Sequence, residues 1–340
     1  MKSFHSFIES FIRKFQSIQI EELQIDSYPS SYLREYLNQP TYHLNIYAEV
    51  LQLSVAEKNV EELCLLDFGT GNGLLACFAK YCGVEKVIGV DYTKSFIDAA
   101  QKLSIALKLD IEFIETDENN FYELLNTNKP NVIIGTDVIE HIYSLDTFIK
   151  NCKLLNPSVQ MVFTTASVNE NYFKAQNLRK LQLQDEFVSS NKNQSNYLYA
   201  GLSFLEIRKK IIQESFPKLN KTEISLLATK TRGLKKDDIE LVVKNYLNKN
   251  QLPEILNHPT NTCDPITGSW TERLLSIKEY KALFDKENFS IEIKKGFYNQ
   301  WQKGIKNLVA KILNRCILIL GKKGIVISPF IFLQIKPKTN

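Results

Sequence analysis

Between residues 60 and 166 the chain alternates short apolar runs with segments of helical period, and this alternation limits its fold more than any other feature. The runs "LCLLDF", "KVIGVD", "IEFIET", "NVIIGTD" and "VQMVFTT" read as buried strands. Between them, "LLACFAKYC", "KSFIDAAQKLSIALK", "NNFYELLN" and "LDTFIKNCKLL" read as helices, the second with Thr93 as its expected cap. Strands separated by helices connect in parallel, so the expectation is a doubly wound α/β sheet. After Ser167 the pattern changes. Residues 170–270 are polar and helical, and alternation resumes only with the helix "SIKEYKALFDKEN" and the strand-like "FSIEIKKGFY" and "IVISPFIFLQIKP".

The first apolar run leads into "DFGTGNG", with Gly69, Gly71 and Gly73 at every second position. Glycines on a strand-to-helix turn permit a tight bend and let a ligand approach the backbone closely. Asp91 stands 22 residues beyond Gly69 at the end of the second strand, where an acid accepts hydrogen bonds from ribose hydroxyls. A dinucleotide loop would read G-x-G-x-x-G and keep the helix N-terminus clear for pyrophosphate. Here Leu74 takes the place of the last glycine, and Asp67 precedes the loop, a poor neighbour for phosphate and a good one for a cation. S-adenosylmethionine has a ribose, no phosphate, and a cationic sulfonium and ammonium. It is the expected cofactor, with Thr70 and Asn72 completing the loop beneath its methionine part and Tyr92 flanking the adenine.

These segments resemble the class I S-adenosylmethionine-dependent methyltransferases. "LLDFGTGNG" is similar to the first motif of that family, "VIGVD" to its ribose-binding acid, "IIGTDVIEHI" to the segment after its fourth strand and "VFTTAS" to its fifth strand. "FIETDENNF" resembles the end of the third strand, which implies Asp117 at the adenine amino group and Glu118 at the ring edge. Thr136 closes the implied cofactor set. The resemblance implies a Rossmann-like seven-stranded sheet, five parallel strands plus a C-terminal antiparallel pair. The core is expected at 61–168 and 271–340; outside the resemblance, the pattern gives a helical N-terminal extension or lid at 1–60 and a mostly helical insertion at 169–270, expected to hold the acceptor.

Methyl transfer at an activated carbon asks mainly for alignment and exclusion of water, and for a base only where the acceptor loses a proton. "TDVIEH" places Asp137, Glu140 and His141 at helical spacing, expected on one helical side. Two readings stay open. Acids and a histidine so placed bind a divalent metal in related ubiquinone-pathway and small-RNA methyltransferases, whereas a Glu-His pair here more commonly pins the helix start. The second is adopted: no metal, and His141 as candidate base. The Asn-Pro-Pro-Tyr segment of amino-methyltransferases is replaced by Gly135-Thr136-Asp137-Val138, and the paired glutamates of arginine methyltransferases are not visible. That leaves small molecules and lipid- or glycan-linked acceptors, most simply methylated at oxygen. His258, Asp264 and Trp270 in "NHPTNTCDPITGSW" are candidates for the acceptor pocket, and Tyr42 and His43 for a lid. The rivals are an inactive methyltransferase-like binding module, a nicotinamide oxidoreductase and a metal-assisted RNA methyltransferase.

The last forty residues hold eight Lys or Arg and no acid, against a net charge of only +4 for all 340 residues. Nucleic acid is not the expected partner of so balanced a chain. The six cysteines show no paired spacing, which fits a reducing, cytoplasmic compartment. Two apolar stripes recur at helical spacing, one on Phe4, Phe7, Ile8, Phe11, Ile12 and Phe15. The other runs over Ile305, Leu308, Val309, Ile312, Leu313 and Cys316, opposite Lys306, Lys311 and Arg315. Such stripes usually face a core. A basic one at 301–323 is also a candidate peripheral contact with a membrane surface.

Overall fold

The computed structural model describes residues 3–55, 59–189, 199, 201–253 and 258–338. They form two compact units: 1–139, 144–166 and 278–340 in the first, 140–143 and 167–277 in the second.

The first unit is built on a seven-stranded sheet in the order β3-β2-β1-β4-β5-β7-β6. Its parallel strands are β1 (Cys64–Phe68), β2 (Lys86–Asp91), β3 (Glu112–Glu115), β4 (Val132–Thr136) and β5 (Gln160–Thr165). The antiparallel pair is β6 (Phe289–Lys295) and β7 (Ile331–Pro337), with β7 inserted between β5 and β6. Leu65, Leu66, Ile88, Ile133, Ile134 and Phe163 are fully buried, because helices cover both faces of a parallel sheet. Each such side chain contributes about 1.5–3 kcal/mol through burial. Strand order reverses between β1 and β4, so the loops leaving their carboxyl ends run to opposite faces and open a crevice there.

Helices α1 (Ile8–Gln16), α2 (Ser27–Asn38) and α3 (Pro40–Val55) precede the sheet. The N-terminal helices, expected as an extension or lid, lie in the same compact unit as the sheet. In α3, Leu44, Tyr47, Ala48, Val50, Leu51 and Val55 are buried, and the helix packs on β4, β5 and β7. Gln334 Nε2 in β7 donates to the Leu53 carbonyl at 2.7 Å. Phe4, Ile8, Phe11 and Phe15 of the N-terminal stripe are likewise buried. Between strands run α4 (Leu74–Tyr81), α5 (Lys94–Ala106), α6 (Phe121–Leu125) and α7 (Leu145–Leu155).

The second unit contains α8 (Tyr172–Phe187), α9 (Phe204–Ser215), α10 (Lys221–Lys230) and α11 (Lys236–Lys249). Ile207, Ile211, Ile212, Leu227, Ile239 and Val243 form its apolar centre. Beside it Arg208, fully buried, donates Nη1 to Glu186 at 3.1 Å and Nε to the Ala228 carbonyl at 2.8 Å; Thr262 Oγ1 donates to Glu186 at 2.7 Å. The first unit resumes with α12 (Ile277–Asp285) and α13 (Ile305–Ile319). The last apolar run is shorter as a strand than its composition suggests: residues 321–327 coil into a 3-10 helix and pairing begins only at Ile331.

Candidate functional site around the glycine loop

The loop from β1 to α4 has Gly69, Gly71 and Gly73 all at positive φ (+69°, +51° and +74°). Two of them also leave no room for a side chain. A Cβ on Gly69 would lie 2.3 Å from Val138 Cγ2, and one on Gly73 would lie 2.8 Å from Ala100 Cβ. Gly71 differs: a Cβ there would meet nothing within 4 Å, so its backbone faces open space. The first and last glycines serve packing, and the middle one is available to a ligand.

Two acids tie the loop to the sheet. Asp91 accepts the Gly71 N–H at 3.0 Å on one carboxylate oxygen and the Thr93 N–H at 2.9 Å on the other. Thr93 makes no side-chain cap on α5; its backbone N–H and its side chain both hydrogen-bond to Asp91 instead. Asp67, almost wholly buried, accepts Thr70 Oγ1 at 2.7 Å. Burial pushes the Asp67 carboxyl up to about 7, against the opposing pull of the Thr70 hydroxyl and the Ala76 N–H, and nearby Asp91 adds to the rise. The Asp91 carboxyl is also raised, again chiefly by burial. Two acids brought together in a low dielectric favour a cation between them.

Among the described residues, two buried polar atoms around the loop find no hydrogen-bond partner, Asn72 Oδ1 and Thr116 Oγ1 just after β3. Asn72 Nδ2 donates to the Pro29 carbonyl at 3.0 Å, so α2 reaches the loop. Tyr92 is exposed. Asp117 is engaged locally: Oδ1 accepts the Asn119 and Asn120 N–H groups at 3.0 Å each, closing the turn into α6. Its neighbour Glu118 offers its carbonyl to Asn151 Nδ2 at 2.9 Å.

Across the crevice, Thr136 pairs with Thr164 at the end of β4, and Asp137 follows at φ +50°. An aspartate in the left-handed region stores strain of about 1–2 kcal/mol, a feature that gathers at functional sites. It also removes the helical spacing expected for residues 137–141: residues 137–144 lie outside any helix, and α7 begins at Leu145 as read from the sequence, with Ser144 Oγ accepting the Thr147 N–H at 3.3 Å. Asp137, Glu140 and His141 therefore do not share a helical side. Among the described residues no group of three His, Cys, Asp or Glu side chains is placed to hold a metal ion.

A profile of the methyltransferase domain matches residues 59–221, a span that opens just before β1 and takes in the glycine loop, Asp91 and the end of β4. Those residues carry a methyltransferase domain. Curated relatives include the mitochondrial ubiquinone biosynthesis O-methyltransferase of Dictyostelium discoideum, 28% identical over 36% of this chain and 41% of that one. The Pelagibacter ubique ubiquinone biosynthesis O-methyltransferase is 31% identical over 32% of this chain and 45% of its own. A ribosomal protein L11 methyltransferase of Dictyoglomus turgidum is 28% identical over 30% and 33%. The chain thus spans less than half the length of the curated relatives it matches. Similar solved structures include a SAM-dependent methyltransferase from Archaeoglobus fulgidus (TM-score 0.42, 13% identity, 90% of this chain and 99% of that one). Magnesium protoporphyrin IX methyltransferase of Synechocystis, crystallised with bound SAH, has a TM-score of 0.40 at 12% identity, covering 98% and 96%.

The remaining expected residues fall into two groups. Tyr42 and His43 lie on α3, a helix packed on the sheet. Tyr42 donates to the Phe297 carbonyl at 3.3 Å, and burial lowers the His43 imidazole to about 4, leaving it neutral. In the second unit, Asp264 Oδ1 accepts the Ile266 and Thr267 N–H groups at 2.7 and 3.3 Å, the signature of a tight turn. Trp270 is buried, donates Nε1 to the Tyr143 carbonyl at 3.0 Å and carries the Arg273 guanidinium 4.4 Å above its ring. Asp264 and Trp270 thus hold their own loop together. His258 Nδ1 lies 3.5 Å from Asn169 Nδ2. The His141 ring nitrogen Nδ1 is 2.8 Å from the Trp270 carbonyl. A carbonyl only accepts, so Nδ1 carries the proton and Nε2 of the neutral ring is left as the basic nitrogen.

Sequence reasoning missed Tyr36 and Tyr47. Burial raises Tyr36 to about 12 and Tyr47 well above its ordinary value, the two hydroxyls are hydrogen-bonded to each other, and Asp137 and Asp67 act on both electrostatically. Tyr42, also pushed up to about 12 by burial, feels Asp137 too. Phenols kept neutral next to those acids are hydrogen-bond donors at any physiological pH. The chain has fifteen tyrosines, so nothing in the sequence distinguished these. A cavity of about 360 Å³ lined by Phe297, Trp301, Ile317 and Leu318 contains none of the loop residues and is no part of this site.

Proposed function

We propose that the chain transfers a methyl group from S-adenosylmethionine to a small-molecule acceptor, at an oxygen atom. The observation that carries this reading is the Asp91 carboxylate on the Gly71 N–H, beside a backbone that faces open space at the switch point of the sheet. Asp91 has the chemistry to hold ribose hydroxyls, and the Gly69–Gly73 loop, with Thr70 and Asn72, would lie under the methionine part. Asp67 would face its ammonium group. Tyr92, Asp117, Glu118 and Thr116 would border the adenine, and Thr136 the far side of the crevice. The Asn72 amide oxygen and the Thr116 hydroxyl, buried without a hydrogen-bond partner among the described residues, support a polar ligand.

When bound, the cofactor supplies an electrophilic methyl carbon. The chain's own residues have the remaining tasks of alignment, exclusion of water and removal of the acceptor's proton. His141 is the candidate for the last, because its Nδ1–H is fixed on the Trp270 carbonyl and Nε2 is the basic nitrogen. The names of the ubiquinone biosynthesis O-methyltransferases among the relatives support oxygen and a small acceptor.

Calorimetric titration with S-adenosylhomocysteine and, separately, NADH tests the reading. Micromolar binding of the first ligand alone, weakened at least tenfold (about 1.4 kcal/mol) in Asp91→Ala, is expected. Preference for NADH, or no binding of the homocysteine product, would overturn it.

A further inference from the structure

The apolar stripe of α13 faces solvent. Ile305 is 80% exposed, Leu308 60%, Ile312 54% and Ile319 75%, while Ala310 and Ile317 on the opposite side are buried against the rest of the unit. At 100° per residue, positions 305, 308, 309, 312, 316 and 319 fall within one third of the helix circumference, and Ala310 and Ile317 lie roughly opposite. The helix is therefore amphipathic with its apolar side turned outward, the reverse of a helix that covers a core. Amid this surface stand Lys306, Lys311 and Arg315, with Lys303 before the helix and Lys322 and Lys323 after it, all exposed. No acid occurs anywhere in residues 301–340. Trp301, 40% exposed, precedes the helix.

We infer that α13 and its flanks form a docking surface for an anionic lipid bilayer, the helix lying in the plane of the interface. Charge decides between the occupants of such a face. A second copy of the chain seated on this stripe would oppose two lysine- and arginine-rich rims with no acid between them, a repulsive arrangement. A bilayer of anionic lipids supplies both complements at once: acyl chains for the isoleucines and leucines, and phosphates for the six cations. Long lysine and arginine side chains beside the stripe reach the headgroups while their stems remain apolar, and a tryptophan at the helix start suits the same boundary. Among the described residues no helix is long and apolar enough to cross a membrane, so the contact is one of lying on the surface. The inference is independent of the methyl-transfer reading.

Co-sedimentation of the full chain with sucrose-loaded vesicles tests it, using phosphatidylcholine alone and phosphatidylcholine with about 30% phosphatidylserine. The expected result is binding to the anionic vesicles only, weakened at least about tenfold by about 0.5 M salt. Leu308→Gln/Ile312→Gln and Lys311→Glu/Arg315→Glu should each weaken it about tenfold or more. Those side chains are exposed, so both variants should keep the wild-type melting temperature, which is checked alongside. Three results would overturn the inference: no binding to either vesicle, unchanged binding of the leucine–isoleucine variant (adsorption by charge alone), or a dimer in analytical ultracentrifugation that this variant abolishes.

Discussion

Asp91 Oδ2 accepts the backbone N–H of Gly71, twenty residues earlier, at 3.0 Å. This bond holds the one open glycine of the loop against the end of β2, so a single carboxylate sets both the loop's shape and the site's charge. Asp91→Asn keeps the size of the group, but an amide nitrogen cannot accept on one side. We expect cofactor-product affinity to fall about tenfold or more, with a loss of about 1–2 kcal/mol in stability, measured by calorimetry and urea unfolding.

The glycines separate packing from ligand access. Gly69→Ala combines a positive φ with a contact 2.3 Å from Val138 Cγ2 and should cost about 3 kcal/mol in stability. Adding Val138→Ala should recover part of that loss, leaving the backbone strain. Gly71→Ala meets no atom within 4 Å, so its unfolding free energy should fall by only about 1–2 kcal/mol while cofactor binding is largely lost. Equal effects of both substitutions on binding would contradict the division of roles.

Asp67, raised to about 7, binds a proton in the folded state that it has released in the unfolded chain above the ordinary carboxylate range. Its contribution to stability is therefore greatest at low pH and is lost as pH climbs from about 4 to 7. A ligand ammonium favours the charged form and reverses that loss. Binding of the homocysteine product near pH 6.5 should release a fraction of a proton, visible as a buffer-dependent calorimetric heat, and Asp67→Asn should abolish the dependence.

The second unit rests on a buried ion pair. Glu186→Gln leaves the Arg208 guanidinium buried without its counter-charge and should destabilise that unit by about 3–5 kcal/mol in chemical unfolding. Replacing both partners together, as Arg208→Met/Glu186→Leu, should cost much less. A double variant as unstable as the single one would mean that the pair's hydrogen bonds to Ala228 and Thr262 matter more than its charge.

If His141 Nε2 takes the acceptor's proton, His141→Gln should lower kcat by about a hundredfold or more and leave cofactor affinity within about twofold. The acceptor's ionisation gives the control. With an acceptor that is already anionic, the same substitution should have little effect on kcat.

The expected strands lie where the sheet has them, five parallel and two antiparallel, because an apolar run bounded by turn residues is a local signal. The glycine loop and Asp91 were legible for the same reason: backbone freedom and acid placement at strand ends belong to the residues themselves. Asp117 was less legible. Its sequence position at the end of β3 suggests a ligand contact, but the side chain also finds two backbone donors within three residues. Asp137 hid a second feature, since no sequence pattern says that the chain will turn left-handed after β4 and keep Glu140 and His141 out of a helix.

The amino-acid sequence by itself determined which segments pair into a sheet, where the loop must bend and which helix faces are apolar. Tertiary structure alone decided what covers those faces and which distant side chains meet. The stripes that begin at Phe4 and Ile305 have the same helical spacing, yet Phe11 is buried in the core and Ile305 is 80% exposed. Arg208 and Glu186, and His141 and the Trp270 carbonyl, likewise meet only because the folded chain brings them back together. The physical reason is that periodicity is a property of a few consecutive residues, whereas burial and pairing depend on the path of the whole chain.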